Sequence, residues 1–143
     1  MRGLHLTADL FGCRDPANLM RDGAALAALC EQLASDAGLN VVARQFHAFG
    51  PSPAGAGGHT GVLLLAESHL AVHTWPELRA VTLDVFVCNV ATDNTRNAER
   101  LLDALVARFE ATRVNRQQLA RGLATLRQRS SPICTPTAKP SKP

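Results

Sequence analysis

An α+β fold, a two-layer α/β sandwich with a mainly antiparallel sheet and helices on one face, is the architecture this sequence predicts. Strand-like and helix-like segments run in the order strand, helix, several strands, helix, strand, which segregates the helices to one side of a sheet. Three strand-like segments follow one another closely between residues 61 and 88, and such short connections join antiparallel neighbours. The 143 residues fit one domain, large enough to bury about two-thirds of the surface that the unfolded chain exposes.

Residues 2–10 alternate loosely and predict a first strand, ended by the turn formers Gly12, Asp15 and Pro16. Across residues 19–37 the apolar set Leu26, Leu29, Cys30, Leu33 and Ala37 recurs at helical spacing, and Gly38 follows where a helix C-terminus favours glycine. Residues 40–49 read as a second strand. The run PSPAGAGG, residues 51–58, is too rich in Gly and Pro for regular structure and predicts a mobile loop. Residues 61–66 are a continuous apolar run, 69–74 alternate, and 80–88 alternate most clearly. In that last segment Val81, Leu83, Val85 and Val87 share one face, and Thr82, Asp84, Phe86 and Cys88 the other. Asn94 is placed to cap a second helix with apolar positions Ala98, Leu101, Leu102, Leu105, Val106 and Phe109. A weak last strand spans 112–119. One domain therefore covers residues 1–127. Residues 128–143 are polar and Pro-rich, with too little apolar area to offset the entropy of ordering, and are expected to form a disordered tail. With both helices on one face, the other face of the sheet is left to water, to a site or to another subunit.

Composition narrows the function classes. Aromatic residues make up 4% and Tyr is absent, which is poor equipment for stacking on nucleic-acid bases. The net charge of +3 is modest, and Arg108, Arg113, Arg116, Arg121, Arg127 and Arg129 are spread through the last third rather than gathered in a motif, as on a solvated basic face. Neither a nucleic-acid nor a membrane partner is expected, since the opening MRGLHLTADLFGC is interrupted by His5 and Asp9 and lacks an unbroken apolar stretch. A cytoplasmic protein is the expectation. Cys13, Cys30, Cys88 and Cys134 show no CxxC pairing and no His at zinc-ligand spacing, so free thiols rather than a metal site or a disulfide framework are expected.

Reactive side chains are densest in AESHLAVHTWPE, residues 66–77, where a Ser, two His, a Trp and two Glu interrupt an otherwise apolar stretch. Ser and His together suggest a hydrolase, but the Gly-x-Ser-x-Gly elbow that presents a nucleophilic Ser is absent around Ser68.

The segment Glu67-Ser68-His69, an apolar spacer and His73-Thr74-Trp75-Pro76-Glu77 resembles the self-processing site of prokaryotic S-adenosylmethionine decarboxylases. The resemblance extends to GLHLTADLFGC (residues 3–13), FHAF (46–49) and LDVFVC (83–88). It implies a pyruvoyl-dependent carboxy-lyase made as a zymogen, which cuts itself between Glu67 and Ser68 and converts Ser68 into the covalent pyruvoyl cofactor, giving a β chain 1–67 and an α chain from 68. The pyruvoyl carbonyl forms a Schiff base with the amine of the small-molecule substrate, S-adenosylmethionine, and takes up the electrons left by decarboxylation. The product serves polyamine (spermidine) biosynthesis. On the same resemblance His73 removes a proton during processing and Thr60, where the family usually has Ser, assists with its hydroxyl. Cys88 returns a proton to the substrate, Phe49 and Trp75 sandwich the adenine, and Glu77 lies in the substrate pocket. The resemblance also implies a homo-oligomer of cleaved αβ units.

The extra residues around 51–58 lie beside the implied adenine pocket, which keeps open a pyruvoyl-dependent decarboxylase of ornithine or arginine. Retention of both Phe49 and Trp75 favours a substrate that carries a base. A non-catalytic binding partner that kept the fold would be expected to have lost Ser68, His73 or Cys88, and all three are present.

Overall fold

In the computed structural model, which describes residues 2–51, 53 and 57–122, the elements are β1 (Gly3–Phe11), α1 (Gly23–Asp36), β2 (Val41–Ala48), β3 (His59–Leu65), β4 (Ser68–Trp75), β5 (Ala80–Cys88), α2 (Thr95–Arg108) and β6 (Arg113–Arg121). The six strands form one sheet in the order β2-β3-β4-β5-β1-β6, with every neighbouring pair antiparallel. The predicted sandwich is the observed one. Helix α1 packs under β2 and β3, α2 under β1 and β5, and the helices touch each other, so both lie on one face.

Period-two alternation determines which side of each strand is buried. Leu4, Leu6, Ala8 and Leu10 of β1 and Val81, Leu83, Val85 and Val87 of β5 face the helices and are at most 6% exposed. Leu63 and Leu65 of β3 and Leu70 and Val72 of β4 continue this face. The helices answer with Leu26, Cys30 and Leu33 of α1 and Ala98, Leu101, Leu102 and Leu105 of α2. The strand β6, at one edge, is exposed on both faces for most of its length.

Phe109, just past α2, is fully buried, while the carbonyl of this residue accepts from the Arg14 and Asp15 backbone N–H groups at 3.1 and 3.4 Å. Phe109→Ala removes a whole ring from the core and is expected to cost about 3–5 kcal/mol. A lower denaturant midpoint with an unchanged m-value would show it, and an unchanged midpoint would contradict the packing described.

Two local features differ from the expectation. The first helix starts at Gly23, not at residue 19, although Leu19 and Met20 are buried. The Asp15 carboxylate accepts from the backbone N–H of Leu19 at 2.7 Å and of Met20 at 2.9 Å, which winds this stretch into turns, and Asp22 then caps the helix through Ala25 N–H at 2.9 Å. Asn94 does occupy the N-cap position of α2, but without a side-chain cap hydrogen bond: its Nδ2 donates to the Cys88 carbonyl at 3.1 Å. Asp93 accepts from Thr95 N–H instead, and hydrogen bonds from Thr95 hold the Asp93 carboxyl below its ordinary range. Gly38 follows α1 with φ +84°, as its place after the helix predicts.

Of the predicted loop 51–58, residues 51, 53, 57 and 58 lie outside strands and helices, and Phe49 N–H donates to the Gly58 carbonyl at 2.9 Å to close its base. The rest of that loop, the predicted tail 128–143 and Cys134 lie outside the described residues.

Candidate active site

The chain turns from β3 to β4 through Ala66 and Glu67, and Ser68 opens β4 opposite Val87 of β5. One residue beyond that rung, the backbone N–H of Cys88 donates to the Glu67 carbonyl at 2.8 Å. This is the carbonyl next to Ser68, and a donor there withdraws electron density from its carbon and stabilises charge that develops on its oxygen. The end of β5 that supplies the donor is itself held: Asn94 Nδ2 donates to the Cys88 carbonyl, and Asn89 N–H donates to the Arg2 carbonyl at 2.8 Å. Ser68 Oγ lies 3.3 Å from His69 Nδ1. The Glu67 carboxylate accepts from Asn40, through the backbone N–H at 3.1 Å and the side-chain Nδ2 at 2.8 Å. Glu67, Ser68 and Cys88 thus gather at one end of the sheet. A cleft of about 510 Å³ opens beside Glu67 and Cys88, lined also by Asn40, Asn94 and Asn97.

The other predicted residues lie at the opposite end. His73 faces the open side of β4, paired with Thr60 of β3, and His73 Nδ1 and Thr60 Oγ1 are 2.7 Å apart. Five residues of strand at about 3.3 Å each separate Ser68 from His73 by about 17 Å, so one chain does not bring the two together. Trp75, the last residue of β4, and Phe49, just past β2, lie on this same side. Phe49 is 53% exposed and Trp75 37%, which removes core packing as their explanation. With β3 between them, their backbones are about 10 Å apart. His47 and Phe49 stack edge-on at 5.2 Å and His73 and Trp75 lie at 6.0 Å, each aromatic ring steadied by an imidazole. Glu77 is exposed in the turn that follows.

Between the two ends, the open face carries His5 hydrogen-bonded to Asp84 at 2.7 Å and Phe86 flanked by the rings of His5 and His69. Val62, Leu64 and Leu119 are 38%, 51% and 56% exposed on this face or its edge. Cys13 and Cys30 are buried free thiols away from it. Burial pushes the Cys30 thiol up to about 12, and burial together with the neighbouring Asp15 carboxylate raises that of Cys13, so neither is a ready nucleophile. Cys88 is partly exposed. Among the described residues, no group of three His, Cys, Asp or Glu side chains gathers to hold a metal ion.

Sequence patterning missed three participants at the Ser68 end. His69, though part of the Glu-Ser-His run, carries no signal that separates it from an ordinary strand His. The Cys88 backbone donor follows only from the β4–β5 register, and Asn40 is an exposed polar residue 27 positions before its partner.

A protein-family model described as S-adenosylmethionine decarboxylase matches residues 4–122. The S-adenosylmethionine decarboxylase proenzyme of Picrophilus torridus is 33% identical over 120 residues, 84% of this chain and 84% of that one. That of Aquifex aeolicus is 34% identical over 122 residues, 85% of this chain and 82% of that one. A crystal structure of the adenosylmethionine decarboxylase from Aquifex aeolicus shares the fold with a TM-score of 0.72 at 32% identity, covering 85% of this chain and 91% of that one.

Proposed function

The chain belongs to the S-adenosylmethionine decarboxylase family of carboxy-lyases, and from that premise we propose that it is a precursor that cleaves itself between Glu67 and Ser68 and then decarboxylates S-adenosylmethionine. The observation that carries the cleavage step is the Cys88 N–H donor on the Glu67 carbonyl, one bond from the peptide nitrogen of Ser68.

Ser68 Oγ attacks the Glu67 carbonyl carbon while the Cys88 N–H holds the developing oxyanion. The Glu67–Ser68 C–N bond breaks, the nitrogen takes the proton and an ester remains. Removal of the Ser68 α-proton then expels Glu67 as a new carboxylate terminus through scission of the Ser68 Cβ–Oγ bond. Water displaces ammonia, leaving a pyruvoyl group at the head of the 68–143 chain. That group supplies an electrophilic carbonyl for the substrate amine and a sink for the electron pair left by CO2. His73, whose imidazole can accept a proton, is suited to taking the α-proton, with Thr60 fixing its ring. Cys88 returns a proton to the substrate α-carbon. The exposed Phe49 and Trp75 flank the flat base of the substrate and the Glu77 carboxylate meets ribose hydroxyls. Ornithine or arginine would leave those two aromatic rings without a partner, which favours S-adenosylmethionine.

Because His73 lies about 17 Å from Ser68 within one chain, the working unit is a homo-oligomer in which the His73 end of one copy meets the Ser68 end of another. The open face, with Val62, Leu64 and Leu119 exposed, supplies apolar area for that contact. The product, decarboxylated S-adenosylmethionine, serves as an aminopropyl donor in polyamine synthesis. None of the helices among the described residues is long and apolar enough to cross a membrane.

The mass of the purified protein under denaturing conditions tests the central step. Two chains, residues 1–67 and 68–143, with a carbonyl reagent labelling only the second, are expected. A folded protein that remains one chain would refute self-cleavage.

A further inference from the structure

Asn40 stands where α1 hands over to β2 and makes three hydrogen bonds to the turn before Ser68. Its carbonyl accepts from Ala66 N–H at 2.9 Å, its backbone N–H reaches Glu67 Oε2 at 3.1 Å, and its Nδ2 reaches Glu67 Oε1 at 2.8 Å. Glu67 is therefore gripped from two sides, by Asn40 on the carboxylate and by Cys88 N–H on the carbonyl. The side chain of Ser68, by contrast, hydrogen-bonds among the described residues only to His69, at the long distance of 3.3 Å. The electrophile is fixed and the nucleophile is left to turn.

We propose that Asn40 is a positioning residue for self-cleavage, clamping the Glu67 carboxylate so that the Glu67 carbonyl carbon is presented to Ser68 Oγ. The inference rests on the self-cleavage reading given above. In an extended chain a Ser hydroxyl does not face the carbon of the preceding carbonyl, so attack demands that the peptide plane be held in an unusual orientation, and orientation of this kind is worth several powers of ten in rate. A carboxylate held by two N–H donors anchors that plane through the Glu67 side chain. The bonds are solvent-exposed, so they add little to the stability of the fold and their loss is separable from unfolding.

The experiment follows cleavage of the full chain after a pulse of cell-free synthesis, for wild type, Asn40→Ala and Asn40→Asp, with melting temperatures taken on a Ser68→Ala background. Asn40→Ala is expected to slow cleavage about ten-fold or more with an unchanged melting temperature. Added hydroxylamine, which cuts esters, is expected not to restore its rate, because the step that makes the ester is the slow one. Asn40→Asp replaces the amide donor by a second carboxylate against Glu67, so it is expected to slow cleavage at least as much as Asn40→Ala. Wild-type rates in Asn40→Ala, a hydroxylamine-cleavable ester accumulating in it, or a lowered melting temperature that accounts for the loss would each overturn the inference. In each of those cases cleavage of the wild type leaves the functional proposal standing, and an uncut wild type brings both down.

Discussion

Ser68→Ala is expected to give one uncut chain of 143 residues, folded like the wild type and without decarboxylase activity. The side chain of Ser68 is only partly buried and its one hydroxyl hydrogen bond among the described residues is to His69 at 3.3 Å, so the fold loses almost nothing with the oxygen. The proposed chemistry would lose both the nucleophile for cleavage and the atoms from which the pyruvoyl group would be made. Removing a nucleophile that works with a base lowers rates by about 10⁴-fold or more, and here the cofactor disappears too. Ser68→Cys keeps a nucleophile at the same position and should still cut, through a thioester. Intact mass, beside CO2 release from carboxyl-labelled substrate, reads both outcomes. Cleavage persisting in Ser68→Ala would move the nucleophile elsewhere.

Mixing two inactive variants should restore activity. In Ser68→Ala and His73→Ala homo-oligomers every site lacks one partner, wherever the two residues come from. If Ser68 of one copy works with His73 of another, a mixed dimer holds one site with both losses and one site with none. Random pairing makes about half the dimers mixed, each with one of two sites whole, so co-expression should recover about a quarter of the wild-type cleavage and activity. Catalysis within a single chain would recover none. That result would turn attention to His69, the imidazole nearest Ser68 in the same chain. The predicted recovery follows from β4 being extended over its whole length, which leaves no fold in the strand to draw His73 back to Ser68.

Most of the fold was legible because it is written in local alternation. In β5 the residues Val81 to Val87 gave both faces correctly, since a period of two has only one way to meet a helix layer. The start of α1 was not legible: Leu19 and Met20 look helical, and only the Asp15 carboxylate, a tertiary arrangement of the turn, shows otherwise. Asn94 reads as a cap until the Cys88 carbonyl, six residues away, competes for its amide. The insertion of β1 between β5 and β6 depends on pairings 69 or more residues apart, for which no local pattern exists. For the site, the twelve-residue cluster pointed to the family but not to the spread of its members over two ends of the sheet. Residues near in sequence are far in space along a strand, and Asn40, distant in sequence, lies against Glu67.

The strand order has a consequence for what the proposed cut would do to the molecule. Counting from β2 to β6, the first two strands would belong to the 1–67 chain, the next two to the 68–143 chain, then β1 to the first and β6 to the second. The two products would be interleaved like the fingers of clasped hands, with β1 wedged by nine-residue ladders on both sides. They cannot drift apart without dismantling the sheet. Once apart, their reunion would be a bimolecular encounter between two pieces with no core of their own, whereas the precursor folds in one molecule at a rate independent of concentration. The proposed self-cleavage would then act as a ratchet. The cleaved protein would be held together kinetically, by a barrier inherited from a chain that no longer exists, and after complete unfolding it should regain its structure poorly and only at high concentration.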